Sequence, residues 1–438
     1  MVRPNALHMY NRTFWLAYAA NTLLMVCVSV LFRYANFVTL RGGSELTLGL
    51  IVGVGMVGAL AMRGALGVAT DRYGARRVWM ASLVVVIISL LGHWALTPLR
   101  GPALDALVYL ARILQMVGLA GAFGASLTFI SLRAPADRIG EMVGTLGSSG
   151  FIGLALGPLL GDLLFAPSEA ITNAMVQRMF LAAAGAAALS LLLTYGSTRG
   201  STPIKQKDRP PMLWLIRRYH PGAVLFCAAA MGIGVMLPHT FLQPYAEQLG
   251  IHRIRTFFFV YAATAFAVRI ATRRFTDRYG IRFTAQLGFV FLAASMLSFT
   301  IVRGELLLAL PAALGGISHA FLFPAIIKGG SVSFPIRYRG LATTLVLAMF
   351  DLANLVGQPA IGAVVEYAPN LGLPGYGTMF VGVAFIMIAT GVSAFWVKEA
   401  RNESLNSPQG IGRVCTATND SGTYVDGLRT HPTETGGG

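Results

Sequence analysis

Twelve stretches of this 438-residue chain run for about twenty residues each with few or no charges: 14–37, 48–70, 78–96, 104–132, 142–165, 179–196, 223–245, 256–272, 284–302, 306–327, 341–365 and 379–397. Hydrocarbon offers no partner to a backbone N–H or C=O, so such stretches cross a bilayer as helices that satisfy their own backbone. The fold class that follows is an all-α integral membrane protein with twelve transmembrane helices. Composition agrees. Hydrophobic residues make up 55% and charged residues 12%, where soluble domains carry roughly a quarter charged residues. Disorder, a coiled coil, collagen and a disulfide-built secreted scaffold are excluded for the body of the chain. Cys27, Cys227 and Cys415 lie far apart without metal-type spacing, and the first two sit in apolar stretches as small hydrophobes.

The charges report orientation. The chain holds 34 Lys and Arg against 18 Asp and Glu, a formal net charge of +16. If the N-terminus is inside, the segments on its side hold 24 of the basic residues, the segments on the other side hold 6, and four lie within the apolar stretches. Loops rich in Lys and Arg stay in the cytoplasm, so the basic balance is a topology signal and no nucleic-acid partner is expected. The first stretch is too long for a signal-peptide core and reads as a retained first helix. Residues 197–221 form a basic, proline-containing cytoplasmic linker between bundles 1–196 and 222–398, with an amphipathic piece at 212–219. Residues 399–438 lose the apolar pattern and read as a disordered cytoplasmic tail.

The chain is internally duplicated. Residues 63–76 recur at 269–282, an offset of 206, with eight of fourteen positions identical: Arg63, Ala65, Thr70, Asp71, Arg72, Tyr73, Gly74 and Arg76 with their counterparts. Each copy straddles the end of the second helix of its half. Two six-helix bundles facing the same way are therefore pseudo-symmetric copies, the parallel repeat of one class of secondary transporter. The pattern Gly67-x-x-x-Asp71-Arg72-x-Gly74-x-Arg76 resembles the loop between helices two and three of the major facilitator superfamily, over residues 13–398. Ala75 departs from the usual Arg, and Arg273 replaces the first Gly of the second copy, which keeps Asp277, Arg278, Gly280 and Arg282. The resemblance implies a latch that forms when the central cavity opens outward and breaks when it opens inward. A positive-inside anchor with a turn glycine is the plainer reading.

Ionisable groups within spans are costly and mark functional sites. Asp351 lies about ten residues into the eleventh stretch, with Asn354 one turn on. It is the first candidate for a proton site or a counter-charge to a cationic substrate, against a structural carboxylate paired across helices. His319 and His239 are candidate proton relays or neutral hydrogen-bonding residues, while His93 reads as structural. Arg63 and Arg269 line the inner mouth or snorkel to it. Arg112-Ile-Leu-Gln115 resembles the superfamily's Arg-x-x-Gln element, with Met116 in place of Gly. That resemblance implies a cavity-facing arginine for proton transfer or anion binding, against a buried arginine satisfied by backbone carbonyls. Gln243, with Phe241 and Tyr245 in the doubly proline-bent seventh stretch, is a candidate substrate contact, though the two aromatics are as readily interfacial anchors. Gly144, Gly153, Gly157, Pro158 and Gly161 resemble the superfamily's antiporter motif, except that Asp162 replaces its final Gly. A small-residue packing seam explains the same spacing.

No Walker-type loop, His-Glu-x-x-His, Cys-x-x-Cys or Gly-x-Ser-x-Gly occurs. Neither a cofactor nor a metal is expected, and the chain does not read as an enzyme. The expected function is secondary active transport in the plasma (cell inner) membrane. The leading form is proton-coupled export of a small amphipathic or drug-like solute, with lipid, protons and the solute as partners, and a monomer as the expected state. Uptake or facilitated diffusion of a sugar or organic acid is the alternative, and a non-transporting membrane sensor a lesser one. The twelve-helix topology puts residues 200 and 370 on opposite sides of the bilayer. Cysteines placed at Gly200 and Asn370 are expected to react with an impermeant thiol reagent from opposite sides, and labelling from one side would reject it.

Overall fold

The computed structural model describes residues 10–135, 138–165, 170–200, 217–219, 222–272, 274–334 and 339–394. Residues 212–216 of the amphipathic piece, most of the linker and the tail lie outside them. The helices are α1 (Arg12–Leu40, tightened to a 3-10 turn at Leu31–Arg33), α2 (Glu45–Tyr73), α3 (Ala75–Leu96), α4 (Pro102–Ser131), α5 (Ile139–Leu164) and α6 (Asn173–Thr198). They continue as α7 (Ala223–Gln248), α8 (Arg255–Ala271), α9 (Phe275–Phe299), α10 (Ala309–Val332), α11 (Arg339–Tyr367) and α12 (Gly375–Ser393). Eleven are long and apolar enough to span a membrane. The exception is α8, whose 17 residues reach about 25 Å, short of a hydrocarbon core of about 30 Å.

Local chemistry starts the helices where the polar punctuation stands. Asn11, Ser44 and Thr172 cap α1, α2 and α6 by accepting the backbone N–H three residues on. Pro102 opens α4, where no N–H is needed. The helices alternate in direction, so their ends define two faces. The basic face carries residue 11, Gly74 and Gly222. The opposite face carries residues 41–44, 97–101, 249–254 and 372–374.

The duplication is visible in the packing. Helix pairs α1–α5, α1–α6, α2–α4, α3–α4 and α3–α6 of the first half recur six helices later as α7–α11, α7–α12, α8–α10, α9–α10 and α9–α12. The repeated turn is identical too. Gly74 has φ 81° and ψ 148°, and Gly280 has φ 84° and ψ 167°, a region open in practice only to glycine.

The halves meet along two related seams, an extensive one between α2 and α11 and a smaller one between α5 and α8. Glycines let the first close. A Cβ on Gly49 would fall on the Gln358 carbonyl oxygen, and one on Gly362 would lie 2.5 Å from the Glu45 carbonyl oxygen. Gly49→Val should therefore cost roughly 1–3 kcal/mol by overpacking and lower the melting temperature in detergent. Gly64→Ala, where an added Cβ meets nothing within 4 Å, should not. Equal effects of the two would count against the seam.

Candidate functional site

A cavity of about 250 Å³ lies between the halves, walled by α1, α2, α4, α7 and α11. Most of its lining is apolar, including Val28, Leu31, Phe32, Val52, Met56, Leu119, Met236 and Phe350; the charged side chains facing it are Arg63, Arg112 and Asp351.

Asp351 and Arg63 form an ion pair. Arg63 donates through Nε to Asp351 Oδ2 and through Nη2 to Oδ1 (3.3 Å), with the two side chains 19% and 7% exposed. This joins α2 of one half to α11 of the other inside the cavity. It also settles the two readings of Arg63: the side chain turns into the bundle and does not reach for the surface. Asn354, expected to share the face of Asp351, instead serves its own helix. It donates to the Phe350 carbonyl (2.8 Å) and accepts from Gln358 Nε2 (2.8 Å), and it does not line the cavity.

Arg112, 8% exposed, reaches the cavity from α4. Its Nη1 donates to Gln115 Oε1 (2.8 Å), and its guanidinium lies 4.7 Å from the centre of the Tyr34 ring. Tyr34 is itself held. The Nδ1 of His93 lies 2.8 Å from the Ser89 carbonyl oxygen, which can only accept, so Nδ1 carries the proton and Nε2 accepts the Tyr34 hydroxyl at 3.0 Å. His93 is fully buried and structural, as its position suggested.

His239 lines the cavity, its Nδ1–H donating to the Val235 carbonyl (2.7 Å) and its ring packed edge-on against Phe32 (4.6 Å). His319 lies elsewhere, between α8 and α5: its Nδ1 is 2.7 Å from the Tyr261 hydroxyl, and its ring is 5.8 Å from Phe151. Gln243 is buried in α7 away from the cavity lining.

The repeated loops sit on the basic face. Arg72 and Arg278 lie over Tyr73 (5.3 Å) and Tyr279 (5.4 Å), Arg76 over Tyr195 (5.5 Å), and Asp277 pairs with Lys328 of its own half. Gly67 lies within α2, Arg282 within α9, and the Asp71 side chain is outside the described residues. Along α5, Gly153 and Gly157 press on α1. A Cβ on Gly153 would lie 2.5 Å from Met25 Cβ, one on Gly157 would overlap Ser29 Oγ, and Ser29 donates to the Gly153 carbonyl (2.7 Å). Gly144 faces open space, while Gly161 lies against Arg33. Pro158 lies inside the helix.

The opposite face holds contacts between the halves that residue order along the chain does not reveal. Arg33, at the 3-10 turn of α1, donates through Nη2 to Asp162 Oδ1 (2.6 Å) and to the His252 carbonyl (2.6 Å), and it stacks on Phe165. Asp162 Oδ2 accepts the backbone N–H of Arg255, the first residue of α8 (3.1 Å). A carboxylate of one half thus caps a helix of the other, where the unpaired N–H groups and the helix dipole favour negative charge. The related seam repeats the device: Glu366 at the end of α11 accepts the Leu46 N–H at the start of α2 (3.1 Å), beside a Tyr376–Glu45 hydrogen bond of 3.1 Å. Two signals pointed to the pair: an arginine inside an apolar stretch needs a partner, and Asp162 stands where the glycine pattern breaks.

The family model of the Major Facilitator Superfamily matches residues 14–306. The chain belongs to that superfamily. It is 24% identical over 334 residues to an uncharacterized transporter of this type from Salmonella typhimurium, covering 74% of this chain and 81% of the relative. It is 28% identical over 120 residues to an uncharacterized transporter of Bacillus subtilis, covering 27% of this chain and spanning only 26% of that relative's length. Among solved structures, a D-xylose–proton symporter superposes with a TM-score of 0.71 at 16% identity, covering 88% of this chain and 97% of the other. A nucleoside transporter superposes with a TM-score of 0.71 at 14% identity, covering 88% and 99%. The family match and these likenesses show the superfamily fold, twelve helices in a multi-pass membrane protein.

The Arg33–Asp162 pair, at 5% and 2% side-chain exposure, generates a prediction. Asp162→Ala strands a buried guanidinium, and Arg33→Ala a buried carboxylate, each at a cost of roughly 3–5 kcal/mol. The double variant should lose much less than the sum of the two. Additive losses in a double-mutant thermal cycle would mean that the contact does not couple the residues.

Proposed function

We propose that this superfamily member is a secondary active transporter that moves a small amphipathic solute by rocking its halves about the central cavity, with Asp351 as the proton site. The observation that carries this reading is the Arg63–Asp351 pair, which bridges the halves inside the cavity. With Asp351 ionised, the pair holds α2 to α11. A proton on Asp351 removes its charge and frees Arg63, so protonation and the relation of the two halves are linked. In this reading His239, which lines the same cavity, relays that proton.

The basic face is the cytoplasmic one in this reading, by the positive-inside rule. The face sealed by Asp162 and Glu366 is then external, and the repeated loops form the latch on the cytoplasmic side. Export in exchange for protons is the direction supported by the glycine–proline pattern of α5, whose glycines seat that helix directly against α1. Uptake of a sugar or organic acid is the second reading, favoured by Arg112, a buried cation in the cavity wall without a carboxylate partner among the described residues.

Everted membrane vesicles test the proposal. A panel of labelled amphipathic solutes should show accumulation driven by an imposed pH gradient, abolished by a protonophore and lowered at least about tenfold by Asp351→Asn, the range over which a positioned acid–base group acts. Accumulation that ignores the gradient would remove proton coupling.

A further inference from the structure

We infer that the solute is an amphipathic monoanion whose carboxylate binds between Arg112 and Gln115 while its apolar body lies against the Phe32 and Phe350 side of the cavity. The inference rests on the reading of this cavity as the transport site and adds the chemistry of what enters it. Charge comes first. Two arginines and one carboxyl line the cavity, Arg63, Arg112 and Asp351, and the carboxyl is spent on Arg63. Arg112 is left as a buried cation with one hydrogen bond to a neutral amide and an aromatic ring beneath it. An uncompensated charge at such depth is costly unless an anion comes to it.

Unused donors come second. Arg112 Nε and Gln115 Nε2 are both buried N–H groups without a hydrogen-bond partner among the described residues, and Gln115 is 0% exposed. Buried donors are rarely left unmade. Gln115 spends its oxygen on Arg112 Nη1 and so offers only its N–H₂ group outward. A guanidinium and an amide N–H₂ side by side present donors alone, which suits a carboxylate and repels a cation. A sugar hydroxyl would fill one donor and leave the charge uncompensated.

Positioning comes third. The Arg112 side chain is pinned: Tyr34 lies under its guanidinium, itself anchored through His93 to Ser89, and α2 presses from the other side. A Cβ on Gly55 would lie 2.8 Å from Arg112 Cγ. The donors are thus oriented before a ligand arrives, the arrangement that lowers the cost of binding. Beyond this polar corner the wall is apolar, so a solute with a greasy body and one carboxylate matches both parts.

Binding to the purified full-length protein in detergent, by calorimetry and thermal shift, tests this with three isosteric probes. Benzoate is the anion, benzamide the neutral form and benzamidine the cation. Benzoate should bind and raise the melting temperature, with the other two at least about tenfold weaker. Gluconate, a carboxylate on a polar body, should also be at least about tenfold weaker for want of apolar contact. Arg112→Gln should weaken benzoate about 10- to 100-fold, the range for a hydrogen bond to a charged group. Gln115→Glu places a carboxylate beside Arg112, so it should abolish benzoate binding while keeping or raising the melting temperature, which answers for a variant that fails to fold. Benzamide or benzamidine binding as tightly as benzoate, benzoate failing to bind, or benzoate binding unchanged in Gln115→Glu would each overturn the inference. No membrane or gradient enters these measurements, so failure of proton coupling leaves this result standing, and failure here leaves coupling at Asp351 untouched.

Discussion

The first backbone N–H groups of a helix have no partner within that helix, and where two bundles meet away from water those groups must be satisfied from across the boundary. Here that need is met by carboxylates. Asp162 of α5 serves the start of α8, and Glu366 of α11 serves the start of α2. Because α5 and α11 are repeat copies, as are α8 and α2, one device is used twice around the pseudo-two-fold axis. Both contacts lie on the same face of the molecule, opposite the repeated loops. Arg33 strengthens one copy by adding a guanidinium that holds both the carboxylate and the His252 carbonyl.

The cavity carries a second inter-half contact of a different kind. A buried ion pair contributes little net stability, because the desolvation of both partners offsets their attraction. Its value lies in being switchable: a proton on Asp351 converts an attraction between halves into a desolvated Arg63. Arg112, on α4, has no carboxylate partner among the described residues and rests on Tyr34 and Gln115. The two arginines are therefore unlike in role despite sharing a wall.

Much of this was legible in the residues. The run lengths determined twelve helices; the duplicated Asp-Arg-Tyr-Gly turn determined that they form two like bundles, and Gly74 and Gly280 take the same backbone conformation because the turn demands it. Asp351, Arg112 and His239 stood out as candidates because ionisable groups within spans are costly, and all three line the central cavity. Where Asn354 and His319 point was not legible, since a polar side chain in a helix has local carbonyls and neighbouring hydroxyls to bond, as Asn354 does with Phe350 and His319 with Tyr261.

By itself, then, the sequence determined the elements, their repeat and the short set of costly polar groups, because hydropathy, glycine φ and charge placement act locally along the chain. Which groups meet was decided by tertiary structure alone. Arg63 and Asp351 are 288 residues apart, and Arg33 and Asp162 are 129 apart. Neither pairing follows from helical spacing, because it depends on the rotation of each helix about its axis, set by packing across the seams between halves.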